Sequence, residues 1–258
     1  MVRYLFGAFF LAIFCGLITE TVAADVSTRR IVFLCAEQEY KTDITLPRFA
    51  KEYLANERVE FVYAKENNPN TLSSHLPILT ADLLVVSVRR RALPLEQLAA
   101  IKEYVAAGKP VIGIRTASHA FSLRKGEPPV GHVVWSDFDQ TVFGGNYTNH
   151  HSNDLVVTIE GVELDSGMSR MLLDGVLPLG GAKSKGSLYK VSPINQKTEI
   201  LLTGKVPGYP AEPIAWTFIR NDGGKSFYTS LGHPADFESG VLPRLLLNAI
   251  NWTLGESE

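Results

Sequence analysis

Short apolar runs alternate with amphipathic segments along the first half of the chain. Four runs that are apolar at nearly every position predict buried β-strands, and two segments between them carry apolar residues at helical spacing. The predicted strands are 31–35, 59–63, 82–88 and 110–114, and the predicted helices are 46–54 and 94–107. Strands of this kind are covered on both faces, which is typical of a parallel sheet whose connections are right-handed crossovers.

The second half of the chain is richer in strands than in helices. Its predicted strands are 155–160, 187–191, 198–203, 213–219 and 226–230, and its predicted helix is 241–254. In the first half, the turn-rich stretch 67–70 is predicted to be a loop. No linker or repeat interrupts the pattern, so we predict one α/β domain over residues 25–258. Its fold class is predicted to be flavodoxin-like, with a doubly wound, mostly parallel sheet and helices on both faces.

Residues 1–24 form a segment of a different kind. Arg3 precedes a compact apolar block, and the small residues at 22–24 precede Asp25. This is the pattern of a secretory signal peptide. An uncleaved membrane anchor is the alternative, but the block is shorter than the roughly 20 residues that span a bilayer. We therefore predict an exported protein, periplasmic or secreted, without stable membrane insertion after cleavage.

The composition narrows the classes of function. The 258 residues are 45% hydrophobic and 20% charged, which is typical of a globular protein and not of a disordered one. The formal net charge of −2 provides no excess of basic residues for phosphates, so a nucleic-acid partner is disfavoured. Cleavage after residue 24 would leave Cys35 as the single cysteine, which excludes an internal disulfide and a cysteine-rich zinc site. The sequence leaves the oligomeric state open, a homo-oligomer included.

Polar residues follow the predicted strands at the edge where doubly wound sheets bind ligands. Glu37 follows the first strand, and Arg115 and His119 lie in the turn after strand 110–114, where many α/β hydrolases hold a nucleophile. Arg115 stays protonated and cannot be a nucleophile. It could anchor a carboxylate, an enolate or sugar oxygens, and the alternative is an ion pair with a carboxylate at a strand end. His119 is interpreted either as a base or ligand or as a structural residue, and the arginine run 89–91 is expected to be solvated.

The segment 144–151, Gly-Gly-Asn-Tyr-Thr-Asn-His-His, is the densest cluster of polar and aromatic residues. The paired glycines allow close approach of the backbone, and Asn146, Asn149 and His150 are candidate substrate ligands. A loop that binds nothing is the alternative. Adjacent histidines point in different directions, so we expect one functional histidine here. A divalent metal remains an option, and the sequence assigns no other cofactor.

His233 and Asp236 follow the last predicted strand. A histidine at a strand end, with an aspartate three residues later, can form a base and the carboxylate that orients it. A His-Pro turn with a purely structural role is the alternative. Trp216, in the preceding strand, is a candidate for contact with a sugar.

Several of these segments together resemble one known family. They are DLLVVSV, GKPVIGIRTASHAF, VFGGNYTNHH, and a tail in which Ala-Trp is followed by Tyr-Thr-Ser-Leu-Gly-His. The chain resembles the ThuA-like (trehalose utilisation) family of the class I glutamine amidotransferase-like superfamily. The resemblance implies a flavodoxin-like fold and a role in carbohydrate metabolism, in particular the processing of 3-keto-glucosides or related disaccharides. His233 takes the place of the superfamily's catalytic histidine, whereas Arg115 replaces its cysteine and Cys35 lies elsewhere, so glutaminase activity is not implied.

Two classes of function remain, and both have a small-molecule carbohydrate as the expected partner. The first is an exported sugar-processing hydrolase or lyase that uses histidine acid/base chemistry. Its catalytic residues would be His233, Asp236, Arg115 and His119, and its substrate ligands Glu37, Asn146, Asn149, His150 and Trp216. The second is a non-catalytic module that binds a carbohydrate or a protein partner on the same fold. Convergence of the histidines on one pocket would favour the enzyme.

Overall fold

A computed structural model describes Met1 and residues 28–163 and 166–255. Its strands are β1 (Arg30–Ala36), β2 (Arg58–Lys65), β3 (Asn68–Leu72), β4 (Leu83–Val88), β5 (Leu93–Pro94), β6 (Val111–Ile114), β7 (His132–Val133), β8 (Asn149–His150), β9 (Val157–Gly161), β10 (Lys183–Ser184), β11 (Tyr189–Lys190), β12 (Thr198–Lys205), β13 (Glu212–Ile219) and β14 (Lys225–Thr229). Its α-helices are α1 (Thr42–Tyr53), α2 (Leu76–Leu79), α3 (Leu95–Ala106), α4 (Gly167–Leu172) and α5 (Val241–Leu254). Two 3₁₀ turns occupy Arg115–His119 and Pro234–Phe237, and a π turn occupies Asp139–Phe143.

Ten of these strands form one mixed sheet, in the order β10-β9-β12-β13-β14-β6-β4-β1-β2-β3. The five central strands, from β14 to β2, run parallel. The strands outside them pair antiparallel on both sides. Because β1 has β2 on one side and β4 on the other, the strand order reverses next to β1. The predicted α/β, flavodoxin-like, doubly wound fold class is confirmed, and the antiparallel strands extend its parallel centre.

The central strands are buried because helices cover both faces of the sheet. Alternate residues of β1 belong to two different cores: Phe33 packs with α1 and α5 on one face, and Leu34 packs with α3 on the other. Every residue of β4 is buried as well. Alternation of this kind explains why these strands are apolar at nearly every position, since neither face of the sheet meets water.

The predicted loop at 67–70 is wrong, because residues from Asn68 onward form the edge strand β3. Leu72 is fully buried, and its backbone N–H donates to the side-chain oxygen of Gln97 at 2.8 Å. The Gln97 amide in turn donates to the Leu72 carbonyl at 3.2 Å. Pro69 is tolerated because an edge strand leaves one row of its backbone groups without sheet partners.

The N-terminal signal peptide predicted at 1–24 lies outside the described residues, so export stays a prediction. Among the helices of the described part of the chain, none is both long and apolar enough to cross a membrane.

Candidate functional site

The turn after β6 forces a residue with a side chain into a conformation that favours glycine. Arg115 begins this turn with a φ of 45°, in the left-handed region. The phenol of Tyr228 donates to the Arg115 carbonyl at 2.7 Å and holds the turn against β14. The predicted sharp turn at the end of β6 is therefore present, with Arg115 at its tip. Strained backbone of this kind is concentrated at functional sites.

The guanidinium of Arg115 points into the protein. It donates to the Ser230 carbonyl at 2.6 Å, to the Tyr40 hydroxyl at 3.1 Å and to the Ser187 hydroxyl at 3.2 Å. Its Nε is buried without a hydrogen-bond partner among the described residues. These partners are uncharged oxygens, so the ion pair considered from the sequence is not what holds the side chain. A Cβ at Gly186 would lie 2.6 Å from Nη1, which explains why a glycine faces the guanidinium.

Two rings contact this arginine and two more pack beside them, and we call Tyr40, His119, Tyr147 and Tyr189 the aromatic cluster. The Cζ atom of Arg115 lies 4.2 Å from the centre of the Tyr40 ring and 4.8 Å from that of Tyr189. The His119 ring stacks on Tyr147 at 4.4 Å, and Tyr147 lies 4.7 Å from Tyr189. Because a guanidinium between two ring faces is held by cation–π attraction, Arg115 fixes the position of the rings.

His119 is a neutral member of the aromatic cluster. Burial, together with the positive charges of Arg90, Arg89, Arg115 and Arg124, lowers the pKa of His119 to about 2. The imidazole is therefore uncharged at neutral pH and contacts the Ser118 hydroxyl at 3.2 Å. His119 therefore brings a neutral ring to the aromatic cluster and adds no positive charge.

The two histidines at the rim of the cluster have opposite tautomers. The Nδ1 of His150 lies 2.7 Å from the His151 carbonyl, so it must donate, which leaves the lone pair on Nε2. The Nδ1 of His233 accepts from the Ala235 backbone N–H at 3.2 Å, so the proton of the neutral ring is on Nε2. His150 pairs with Tyr189 across β8 and β11, and the His233 ring lies 6.5 Å from that of Tyr40. One histidine thus presents an acceptor and the other a donor.

Asp236 contacts His233 differently from the sequence-based expectation. Its Oδ2 accepts from the backbone N–H groups of Gly232 at 2.9 Å and of His233 at 3.0 Å. No hydrogen bond links this carboxylate to the imidazole, whose Nδ1 is already occupied by Ala235. Asp236 therefore holds the turn on which His233 sits, and it orients the ring through the backbone.

The remaining predicted residues lie in different surroundings. The Glu37 carboxylate is buried and accepts from the backbone N–H of Tyr40 and from both the N–H and the hydroxyl of Thr42, so it fixes the start of α1. Asn146 is half-buried and Asn149 is exposed on β8. Trp216 is 1% exposed, and its Nε1 donates to the Phe143 carbonyl at 2.7 Å. The structure thus places His119 within the aromatic cluster, Arg115, His150 and His233 beside it, and Trp216 in the core.

A cavity of about 360 Å³ opens at the carboxyl ends of β1 and β2, where the strand order reverses. It is lined by Cys35, Ala36, Glu37, Gln38, Asp43, Tyr63, Ala64, Glu66 and Arg91. Burial raises the pKa of the Cys35 thiol, and the negative charges of Glu37 and Asp43 raise it further. The cavity therefore has a polar, charged wall and a protonated thiol at its base. Of its lining residues, only Glu37 was a candidate from the sequence.

A buried carboxyl group lies behind Tyr147 and was missed by sequence reasoning. Asp139 accepts from the Tyr147 backbone N–H at 2.8 Å through Oδ2, and its Oδ1 is buried without a partner among the described residues. Burial raises the pKa of Asp139 to about 7, against the opposing effect of that hydrogen bond. A Cβ at Gly145 would overlap this carboxyl group, so the paired glycines of the segment allow the contact. Within the described part of the chain, no three His, Cys, Asp or Glu residues lie close enough to hold a metal ion.

Comparison with known proteins identifies the family. Residues 30–253 match the ThuA family model, whose description is trehalose utilisation. A ThuA-like protein from Bacteroides uniformis is 16% identical, with a TM-score of 0.60 over 88% of this chain and 91% of that one. A ThuA-like protein from Parabacteroides merdae is 15% identical, with a TM-score of 0.59 over 88% and 90% of the two chains. At these identities the structural likeness shows the fold alone. A search among curated proteins gave no match.

The family match extends from the first residue of β1 to the last turn of α5. It includes the turn that carries Arg115, the segment with His150 and the tail with His233. The resemblance that these motifs indicate is confirmed by the match, and the fold agrees with it. The chain belongs to the ThuA family of trehalose utilisation.

Proposed function

We propose that this ThuA-family protein is exported and acts in carbohydrate utilisation, where it processes keto-glucosides or related disaccharides by proton transfer and has no glutaminase activity. The observation that carries the proposal is the pair of opposite tautomers at the rim of the aromatic cluster. The Nε2 of His150 can accept a proton, and the Nε2–H of His233 can donate a hydrogen bond. A base and a donor are the two groups that removal of a proton next to a carbonyl group requires.

The proposed reaction is an elimination from a 3-keto-glucoside. His150 takes the proton from the carbon next to the keto group, and the electron pair forms an enolate whose oxygen accepts from His233. The enolate then re-forms the carbonyl group while a C=C bond forms and the glycosidic C–O bond breaks, and the leaving oxygen takes the proton that His150 removed. His233 acts here as a neutral electrophile, a role that a histidine fixed in one tautomer performs in other enzymes. The earlier assignment of His233 as the base is revised, because its Nε2 already carries the proton.

The surroundings of these histidines suit a sugar. Tyr40 and Tyr147 are partly exposed and provide ring faces and hydroxyl groups, a combination that is typical of sites for small polar ligands, whereas Tyr189 is buried behind them. Arg115 contacts the rings of Tyr40 and Tyr189. We assign it as a positioning residue, because its own donors are directed at protein oxygens.

Two observations support the absence of glutaminase activity. The tip of the turn after β6 carries Arg115, which cannot attack a carbonyl carbon. Cys35, the single cysteine among the described residues, is buried at the end of β1, and its raised pKa keeps it as a thiol.

A non-catalytic carbohydrate-binding module is the second candidate. It is favoured by the complete burial of the Arg115 guanidinium, which fills the position of a nucleophile with a structural group. Under this hypothesis the aromatic cluster would bind a sugar and release it unchanged.

Turnover of a methyl 3-keto-glucoside, followed by NMR, separates the two candidates. We expect H150Q to lower kcat by about 10²-fold or more, because it removes the base. H233A should lower kcat by a similar factor, whereas H233Q should retain part of it, because the Gln amide also donates. The matched control is H75Q, at a histidine that precedes α2 and lies outside the cluster. Full turnover by both H150Q and H233A would contradict the assignment, and binding without any product from the wild-type protein would favour the module.

Export is tested separately, by mass spectrometry of the protein from its native host. The expected N-terminus is Asp25, and a chain that keeps residues 1–24 would contradict the signal peptide.

A further inference from the structure

The cavity of about 360 Å³ at the carboxyl ends of β1 and β2 is separate from the residues of the proposed reaction. Among the described residues that line it, none belongs to the aromatic cluster, and none is Arg115, His150 or His233. Its volume lies in the range that small-molecule sites occupy in proteins. It also opens next to β1, where the strand order reverses and where doubly wound sheets bind ligands. The cavity is therefore a candidate for a second ligand site.

Carboxyl groups dominate the charge of the cavity wall. Glu37 is buried, and its oxygens accept three hydrogen bonds from Tyr40 and Thr42, so its position is fixed. Asp43 and Glu66 are exposed parts of the wall. Neither of them forms a hydrogen bond or an ion pair with another described residue. Two carboxylates of the wall are thus available to a ligand.

A single guanidinium stands against these three carboxylates. Arg91 donates through Nε to the Ala36 carbonyl at 3.1 Å, which anchors its side chain in the wall. The prediction that the arginine run 89–91 is solvated is wrong, because all three residues are half-buried and Arg89 forms an ion pair with Glu39 at 2.7 Å. Arg91 forms no ion pair among the described residues. The cavity wall therefore keeps an excess of negative charge.

The base of the cavity holds a polar group without a partner. Cys35 is 3% exposed, and its thiol forms no hydrogen bond with the other described residues. Tyr63 pairs with Cys35 in the register of β1 and β2 and adds an aromatic ring to the wall. A thiol behaves as a small apolar surface, and an aromatic ring attracts a cation to its face. The cavity thus combines an apolar base with negatively charged, exposed walls.

We propose that this cavity binds a small organic cation that carries a primary ammonium group and hydroxyl groups, of which an amino sugar is the simplest case. The ammonium group pairs with the carboxylates of Asp43 and Glu66, because hydrogen bonds between charged groups are the strong ones. The hydroxyl groups bind the remaining donors of Arg91 and the amide of Gln38, which is exposed in the wall. A metal ion does not fit, because no three His, Cys, Asp or Glu residues of the described chain lie close enough to hold one. The inference does not rest on the proposed function.

Calorimetry with the full-length protein tests the site and needs no turnover. The probes are glucosamine, N-acetylglucosamine, glucose, glucuronate and putrescine. At about pH 6 the amine of glucosamine is protonated, since an amine next to electron-withdrawing groups titrates at a higher pH. We expect glucosamine to bind about tenfold or more tightly than N-acetylglucosamine or glucose, because only its ammonium group forms charged hydrogen bonds. This preference should fall as salt is raised from about 50 to 500 mM, and glucuronate should bind more weakly than glucose.

Variants locate the effect in the cavity. D43N and E66Q should each reduce the preference for glucosamine several-fold, and the double variant should remove it. The matched control is E96Q, at an exposed carboxylate in the first turn of α3, as Asp43 is in the first turn of α1. Both variants lose the same favourable interaction with a helix N-terminus. E96Q should nevertheless bind glucosamine like the wild type.

Equal affinity for glucosamine and N-acetylglucosamine would overturn the cation site, as would tighter binding of glucuronate or a double variant that keeps the preference. Putrescine that binds as tightly as glucosamine, and that is lost in the double variant, would uphold the carboxylate pair and overturn its assignment to a sugar. Glucosamine binding that is lost in H150Q or H233A would place the sugar at the aromatic cluster and overturn the second site. Binding that persists in both of these variants and is lost in D43N/E66Q would uphold the inference, whether or not the wild type turns over a keto-glucoside.

Discussion

Arg115 and Arg220 lie at opposite ends of the same two strands, β6 and β14, and both side chains are buried. At the amino end, Arg220 donates through Nε to both oxygens of Asp222 at 3.1 Å. Its other nitrogens donate to the Lys109 carbonyl at 2.7 Å and to the Ser226 hydroxyl at 3.0 Å. At the carboxyl end, Arg115 has a strained backbone, and among the described residues it has no carboxylate partner and no partner for its Nε.

The contrast shows that the buried arginine at the amino end of β6 and β14 has a counter-ion and the one at the carboxyl end does not. A buried charge with a carboxylate and satisfied donors is a structural element, whereas a buried charge without a counter-ion is costly to keep. The carboxyl end collects several such groups: the Nε atoms of Arg90 and Arg115, and the Oδ1 of Asp139. This is also the end where doubly wound sheets bind ligands. The unpaired buried groups at this end lower the stability of the fold, so we infer that they are kept for a functional site.

The largest expected difference comes from replacing each arginine by methionine, which preserves a long unbranched side chain. R220M should lower the free energy of unfolding by about 4 kcal/mol, because it leaves Asp222 and buried carbonyl groups without their partner. R115M should lower it by only about 1–2 kcal/mol, because the lost hydrogen bonds are partly offset by removal of an uncompensated charge. Urea unfolding at neutral pH measures both values. A cost for R115M equal to that of R220M would remove the distinction between the two ends.

A second effect concerns Asp139, whose pKa is raised from 3.8 to about 7 by burial. The folded protein binds this proton more tightly than the unfolded chain, so Asp139 favours folding below about pH 4 and this contribution is lost as pH rises to about 7. The loss should be about 4 kcal/mol, given about 1.4 kcal/mol for each unit of pKa shift. D139N should flatten the stability profile over this range, when thermal unfolding is measured from pH 4 to pH 8.

The control for this effect is D137N, at an exposed carboxylate two residues earlier in the chain. It should leave the slope of the profile unchanged. If D139N and the wild type lose stability in parallel between pH 4 and pH 7, the buried carboxyl group is not the source of the pH dependence.

The sequence predicted the central sheet well because each buried strand carries its own signal. Strand 31–35 and helix 94–107 agree with β1 and α3 within a few residues, since apolar runs and helical spacing are local patterns. The turn-rich stretch before Leu72 was misassigned, because an edge strand tolerates the Pro and Asn residues that otherwise indicate a loop. The local pattern of apolar residues thus identifies buried central strands, but it does not identify an edge strand that pairs on one side only.

The site was only partly predictable, for a different physical reason. Arg115, His119 and His233 follow strands, so the rule on strand ends could identify them. Tyr40 and Tyr189 could not be found in this way, because they meet Arg115 only after β11 pairs with β8 and α1 folds onto the sheet. The tautomer of His150 depends on the His151 carbonyl and that of His233 on the Ala235 N–H, and no side-chain pattern encodes these contacts.

The smallest expected effect on stability comes from two glycines that face the two arginines. A Cβ at Gly224 would overlap the Arg220 guanidinium and would lie 2.8 Å from the Gly108 carbonyl, which is rigid backbone. The three atoms nearest to a Cβ at Gly186 all belong to the guanidinium of Arg115, at 2.6 Å for the nearest. We expect G224A to cost about 2 kcal/mol, as overpacking against fixed backbone does, and G186A to cost about 1 kcal/mol, because side-chain atoms yield more easily than backbone atoms.

Movement of Arg115 should nevertheless be visible in G186A. Because Tyr40 and Tyr189 pack on the guanidinium, its displacement should change the near-UV circular dichroism of the tyrosines while the urea midpoint stays near that of the wild type. G224A should do the reverse, with a lowered midpoint and no specific change in the aromatic cluster once folded. Equal loss of stability in both variants would mean that the carboxyl end of β6 is as rigidly built as the amino end. A wild-type spectrum for G186A would show that Arg115 does not hold the rings in place.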